Sequence, residues 1–206
     1  MSAAIELSPA TGALVVHDVV NDFVDPARPG FDQDLPRVLD NIEVLLTAAR
    51  QAGLPVIFIG PGQGDPKIGP RKTSRPPNRL VWGSPGVDVP DRFGPLPGET
   101  LLRKPRYGAF YGSRLAAHLR ETGRDTIAVC GLSLAGGVEN TIRDAFNHDL
   151  KSVLVHDATL CRAVPDQGWG AVSREEVAKV ILSILAQRFA RVVSVAEICD
   201  ALAVSV

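Results

Sequence analysis

Short apolar runs alternate along this chain with stretches in which apolar residues recur every three or four positions. That pattern predicts strands and helices in turn. The first run, 13–17 (Ala-Leu-Val-Val-His), reads as a buried strand. From Leu35, the apolar residues Val38, Leu39, Ile42, Leu45, Leu46 and Ala49 trace one helical stripe, with Asp34 as its N-cap and Gly53 as its stop. Residues 55–59 form the second run, and further strands fall at 100–103, 126–130, 152–155 and 191–193. Helical spacing fills about 113–122, 137–149, 173–188 and 195–203. Six strands separated by helices predict an α/β fold, a three-layer doubly wound sheet of mostly parallel strands with helices on both faces.

One stretch breaks the rhythm. Residues 60–98 hold 17 of the chain's 35 glycines and prolines and predict a long loop inside a single domain spanning 1–206. Its first part is basic, with Lys67, Arg71, Lys72, Arg75 and Arg79 against Asp65 alone. A solvated loop and a lid with an electropositive inner face are both consistent with that composition.

Composition narrows the function classes. A net charge of −1 with 22% charged residues argues against a partner such as nucleic acid or a membrane surface. The three cysteines, at 130, 161 and 199, have no metal-knuckle spacing and no even count, as expected of a reducing cytoplasm. The opening residues carry neither the basic nor the apolar segment of a signal peptide. No glycine-rich dinucleotide fingerprint follows the first strand, and none of the four histidines (17, 118, 148, 156) falls in 60–98. No cofactor and no metal are expected.

In an open α/β sheet the ligand site lies at the carboxyl ends of the strands. Strand one ends in Asp18, followed by Asn21-Asp22-Phe23; strand three ends in Arg103-Lys104-Pro105-Arg106-Tyr107-Gly108-Ala109-Phe110. Strand four ends in Gly131-Leu132-Ser133-Leu134-Ala135-Gly136-Gly137 and runs into a helix. A carboxylate, an ammonium and a glycine-rich helix start would thus meet in one crevice, an acid/base pair beside an anion site. His17 precedes Asp18 in a strand whose alternation points it away from that carboxylate. Trp82 suits a substrate-facing wall, Phe23 and Phe110 suit core anchors, and Trp169, in a Gln-Gly-Trp-Gly loop, suits a subunit interface.

Three of these segments together carry a resemblance. Val16-His17-Asp18-Val19-Val20-Asn21-Asp22-Phe23, Lys104-Pro105-Arg106-Tyr107-Gly108-Ala109-Phe110 and the stretch from Gly131 to Ala145 are similar, in order and spacing, to the motifs of the isochorismatase-like hydrolases, also called cysteine hydrolases. Val155-His156-Asp157-Ala158 resembles the strand end that follows them. The resemblance implies Asp18 as general acid or base and Lys104 as its partner. It also implies a site between them and the backbone of Ser133 and Gly137, with a cis peptide at Leu132–Ser133. Phe23, Arg71, Trp82 and Tyr107 are the expected substrate contacts, and a homodimer or higher homo-oligomer is expected.

The chain departs from the amidase pattern where it matters most. The position of the family's nucleophilic cysteine is here Gly137, which has no side chain with which to form a covalent bond. Isochorismatases proper also carry glycine there, and protonate a vinyl ether from the aspartate before water attacks. The first expectation is therefore a cofactor-free hydrolase of a small anionic substrate, of vinyl-ether type, with Asp18 as general acid and Gly137 leaving room for substrate. A tyrosine and a glutamine typical of those enzymes are replaced by Ser133 and Pro61, with Gln63 nearby. Two alternatives stand beside it: an amide or ring hydrolase using water activated by Asp18, and a non-catalytic member that binds a metabolite or partner. Cys161, just past a strand end, is a minor candidate nucleophile, and Cys130 reads as a buried neutral thiol.

Overall fold

The structure, a computed structural model, describes residues 5–27, 32–62 and 80–203. Its centre is a six-stranded parallel sheet of β1 (Gly12–His17), β2 (Val56–Pro61), β3 (Thr100–Lys104), β4 (Thr126–Leu132), β5 (Lys151–Leu160) and β6 (Arg191–Val193). The strand order is β3-β2-β1-β4-β5-β6, so the chain reverses direction across the sheet between β1 and β4. A crevice opens at such a reversal, at the carboxyl ends of the strands. Helices α1 (Asn21–Val24), α2 (Leu35–Gln51), α3 (Leu115–Glu121), α4 (Glu139–Asn147), α5 (Arg174–Arg188) and α6 (Val195–Ala203) complete the fold.

Strand alternation divides the core into two halves. Leu14 and Val16 of β1, Phe58 of β2 and Cys130 of β4 face α2 and α6, where Val38, Ile42 and Ile198 meet them. Ala13, Val15, Ile57, Ile59 and Val129 face the other way, onto Leu115, Ile142 and Leu185 of α3, α4 and α5. Each fully buried aliphatic side chain contributes about 1.5–3 kcal/mol, so a central strand with apolar residues on both faces holds both layers. Continuous apolar runs rather than alternating ones are the expected signature of such strands.

Several boundaries differ from the sequence expectation, each for a local reason. Asp34 adopts helical φ/ψ and makes no capping hydrogen bond; its carboxylate pairs instead with Arg174, while Leu35 and Pro36 open α2. The cap geometry expected of Asp34 belongs to Ser173 before α5, whose hydroxyl and the Glu176 carboxylate form a reciprocal capping box. The loop expected from residue 60 begins later, because β2 continues to Pro61 beside β3. Strand β5 runs on to Leu160, well past residue 155. A bulge lets Gly131 pair with Thr159 although Val129 pairs with Leu154. The bulge turns the polar pair His156 and Asp157 outward, and Asp157 then caps the start of α6 through Val195 N–H at 2.8 Å.

Part of the 60–98 stretch is ordered onto the body of the protein. Asn21 Nδ2 donates to Pro85 O at 2.8 Å, Asn21 N–H to Asp88 O at 2.9 Å, and Leu80 N–H to Asp22 Oδ2 at 2.5 Å. The Asn-Asp pair after β1 therefore anchors residues 80–88, around a 3₁₀ turn at Pro85–Val87. Trp169 stands 93% exposed between Val164 and Val172, which pair in an isolated antiparallel bridge. No helix among the described residues is long and apolar enough to cross a membrane.

Candidate active site

Asp18 follows β1 directly and has φ of +55°, left-handed backbone that aspartate tolerates better than most residues. Its N–H still donates to Ile59 O on β2 at 2.8 Å, so the turn is fixed at the carboxyl end of the central strands. The left-handed turn swings the carboxylate back toward the face of the preceding residue. That corrects the expectation for His17: alternation holds only while the backbone is extended, and His17 Nδ1 lies 3.5 Å from Asp18 Oδ2.

Lys104, the last residue of β3, is 2% exposed, and its Nζ donates to Asp18 Oδ2 at 2.9 Å. It also donates to Arg106 O at 3.0 Å and Tyr107 O at 3.1 Å. A buried ammonium needs this degree of satisfaction, since its water shell is gone. The other carboxylate oxygen, Asp18 Oδ1, is buried without a hydrogen-bond partner among the described residues.

Asp18 borders a cavity of about 190 Å³ whose wall includes Phe23, Tyr107, Ser133, Gly137 and Arg162. Five expected site residues, Asp18, Phe23, Tyr107, Ser133 and Gly137, thus converge, with Lys104 directly behind Asp18. The Leu132–Ser133 peptide is cis. Trp82 does not line the cavity: it is half exposed, and the Arg103 guanidinium lies over its ring at 5.7 Å. Arg103 also binds the Val87 carbonyl and the Asp88 carboxylate, so this pair helps hold the 80–88 segment. Arg71 and Gln63, with the basic run 67–79, lie outside the described residues.

Two site residues were absent from the sequence expectation. Arg162 borders the cavity because the β5 bulge carries the strand to Leu160 and delivers the next residues beside Ser133. Its Nε is 3.8 Å from Asp32 Oδ2, beyond hydrogen-bond distance, while Asp32 is already engaged by Arg174 at 2.8 Å. Cys161 takes the opposite side of the chain, packed toward α5, with its thiol 3.6 Å from Arg174 O and its pKa raised by burial. It does not line the cavity. Cys130 is fully buried in β4, and burial pushes its pKa up to about 12.

His17 is the second. It has no exposed surface; Nδ1 lies 3.0 Å from Leu132 O and Nε2 3.1 Å from Tyr107 O. Burial pushes its pKa below the ordinary histidine value; the Asp18 carboxylate and the two carbonyls pull the other way, the Lys104 ammonium does not, and burial wins. The neutral ring carries one proton. Nδ1 faces two acceptors, one of them anionic, whereas Nε2 faces only a carbonyl that Lys104 already serves, so the proton belongs on Nδ1.

Gly137 lies against this ring. A β-carbon there would stand 2.8 Å from His17 Nε2 and 2.9 Å from Nδ1, and closer still to Cε1. The space that a side chain at 137 would need is filled by imidazole. This corrects the expectation that glycine leaves that room to substrate.

Known proteins with a similar sequence or fold identify the family. The family model described as the Isochorismatase domain matches residues 12–197. A ureidoacrylate amidohydrolase of Methylobacterium radiotolerans is 33% identical over 178 residues, covering 75% of this chain and 69% of that protein. A cysteine hydrolase from Pseudomonas syringae superposes with a TM-score of 0.90 at 29% identity, over 100% of both chains. N-carbamoylsarcosine amidase of Thermoplasma acidophilum superposes with a TM-score of 0.73 at 26% identity, over 90% of this chain and 96% of that one. The sheet order, the motif-bearing strand ends and these likenesses place the chain in the isochorismatase family, and it is a hydrolase of that family.

Proposed function

We propose that the protein hydrolyses an amide or ureido bond in a small carboxylate-bearing substrate, using water activated by Asp18 and forming no covalent enzyme intermediate. The observation that carries this reading is the state of Asp18. One oxygen is held by the Lys104 ammonium, the other is buried with no hydrogen-bond partner among the described residues, and Asp18 lines a cavity into which residue 137 extends no side chain. A carboxylate can serve as general base toward a water in that cavity. The water oxygen then bonds to the substrate carbonyl carbon, and Asp18 holds the proton. When the C–N bond breaks, that proton passes to the leaving nitrogen, so Asp18 ends as it began. The backbone of Ser133 and Gly137 lines the cavity where the carbonyl oxygen would gather charge, and Arg162 supplies a cation for the substrate carboxylate. The amide class is favoured by the ureidoacrylate and carbamoylsarcosine relatives.

Vinyl-ether hydrolysis is the second reading, favoured by Gly137, since protonation of an enol ether followed by water attack needs no protein nucleophile. Assay of the purified protein against ureidoacrylate, N-carbamoyl amino acids and isochorismate separates the two: the first reading requires release of ammonia or amine, the second release of pyruvate. Asp18→Asn should lower turnover by about 10²–10⁴ with the fold retained. Undiminished turnover, or a trapped covalent adduct on acid quench, would overturn the proposal.

A further inference from the structure

The mechanism above makes no use of His17, yet this ring meets Asp18, Leu132, Tyr107 and Gly137, residues from three strand ends. It closes β1, its nitrogens face carbonyls of β4 and of the loop after β3, and Nδ1 stands beside the Asp18 carboxylate. The Tyr107 carbonyl that it meets is the one that also receives a hydrogen bond from Lys104. The charged groups facing the ring are Asp18 and Lys104; Gly137, across the crevice, offers only backbone.

We propose that His17 and Gly137 form a size-exchange pair, in which the imidazole occupies the volume of a residue-137 side chain and serves as a positioning residue for Asp18 and Lys104. Two consequences follow from the contacts. First, a side chain at 137 and an imidazole at 17 are mutually exclusive, because a β-carbon at 137 would overlap ring atoms that are fixed from both sides. Glycine at 137 is thus required by a neighbour from a different strand. Second, the ring does mechanical work that a thiol at 137 could not. It donates from Nδ1 to the Leu132 carbonyl and stands in contact with the Tyr107 carbonyl, 3.1 Å from Nε2, so it acts as a spacer between the β4 end and the lysine loop. Removing the ring takes the Nδ1 donor from the Leu132 carbonyl and leaves Asp18 without its neighbour at 3.5 Å. The steric statement stands without any assumption about chemistry; the positioning statement rests on the reading of Asp18 as the proton carrier.

The test uses the intact chain and no substrate, so its outcome is independent of whether the amide reading holds. Urea unfolding is measured for wild type, Gly137→Ala, His17→Val and the double variant. Gly137→Ala should lower the midpoint by about 1 M in the His17 background. With valine at 17, which lacks the overlapping ring atoms, the same substitution should cost less than half as much. Equal costs in both backgrounds would overturn the exchange pair. Should Gly137→Ala fail to fold, recovery of folding in the double variant supports the pair and continued failure overturns it.

The positioning role is read by ¹³C titration of the Asp18 carboxyl in wild type, His17→Val and His17→Gln. A ring that only fills space leaves that titration unchanged in all three. The proposal requires it to move in His17→Val and to return partway in His17→Gln, whose amide can still donate toward the Leu132 carbonyl. An unmoved Asp18 titration would overturn it. In wild type the His17 ring ¹⁵N signals should report one slowly exchanging proton on Nδ1; a freely exchanging ring would count against both halves.

Discussion

Replacing Lys104 by methionine would test whether the Asp18–Lys104 contact is the electrostatic centre of the site. Methionine keeps most of the length and all of the apolar stem, so packing around a side chain only 2% exposed changes little. The ammonium's three hydrogen bonds disappear, and the Asp18 carboxylate is left buried without its counter-charge. Breaking a buried pair from one side costs about 3–5 kcal/mol. The carbonyls of Arg106 and Tyr107 also lose the lysine as a donor, which adds to the loss. For a chain of this size each kcal/mol moves the melting temperature by about 2–4 °C, so a fall of roughly 6–20 °C is expected.

The decisive step is the second substitution. In Lys104→Met/Asp18→Asn the stranded charge is gone, and a neutral amide beside methionine costs far less than a bare carboxylate. The double variant should therefore be more stable than Lys104→Met, with a coupling of about 2 kcal/mol or more against the sum of the single effects. Urea unfolding at pH 7 and low salt, followed by far-UV circular dichroism, gives all four values. Additivity within about 0.5 kcal/mol would refute the reasoning, because it would mean that the two charges do not depend on each other.

Three further outcomes follow from the same geometry. Arg162→Met should raise KM for a carboxylate-bearing substrate by about 10–100-fold, the worth of one charged hydrogen bond, while leaving a neutral analogue little affected; equal effects on both would remove Arg162 from substrate recognition. Iodoacetamide at pH 8 should leave native Cys130 unlabelled, since its pKa is pushed up to about 12, and modification of Cys161 should spare activity because that thiol turns toward α5; loss of turnover in step with Cys161 labelling would contradict its placement. His17 should make the protein acid-sensitive: with the folded pKa below the unfolded value of about 6.5, the unfolded chain takes up the proton first, so the stability is fully present above pH 6.5 and is lost as pH falls toward the folded pKa. The slope approaches about 1.4 kcal/mol per pH unit and should be absent in His17→Val; identical acid limbs in the two proteins would show that His17 protonates as freely when folded as when unfolded.

Most of the architecture was legible because parallel strands buried on both faces write themselves as short continuous apolar runs. The six runs all became strands of one sheet, and β6 matched its expected span at Arg191–Val193. The end of β5 was not legible. His156 and Asp157 are polar residues inside a strand, and a reading based on apolar continuity stops at them. Only the pairing of Gly131 with Thr159 reveals that a bulge carries the strand onward. Arg162 went unnoticed for that reason, since its place beside Ser133 depends on the extra length.

The misplacement of His17 has a different origin and explains more of the site. Alternation was applied correctly to β1, and the ring does lie on the same face as Ala13 and Val15, toward the start of α4. The error lay in extending the rule to Asp18, whose left-handed backbone returns the carboxylate to that same face. A single dihedral thus brings acid and imidazole together, and with them the lysine from β3 and the glycine after β4. Sequence motifs located the acid, the lysine and the missing side chain at 137, because spacing preserves position. What occupies the vacated space depends on contact between residues distant in the chain, and no spacing records it. The glycine that seemed to make room for a ligand is held in place by a histidine, so the route to a nucleophile at 137 passes through residue 17.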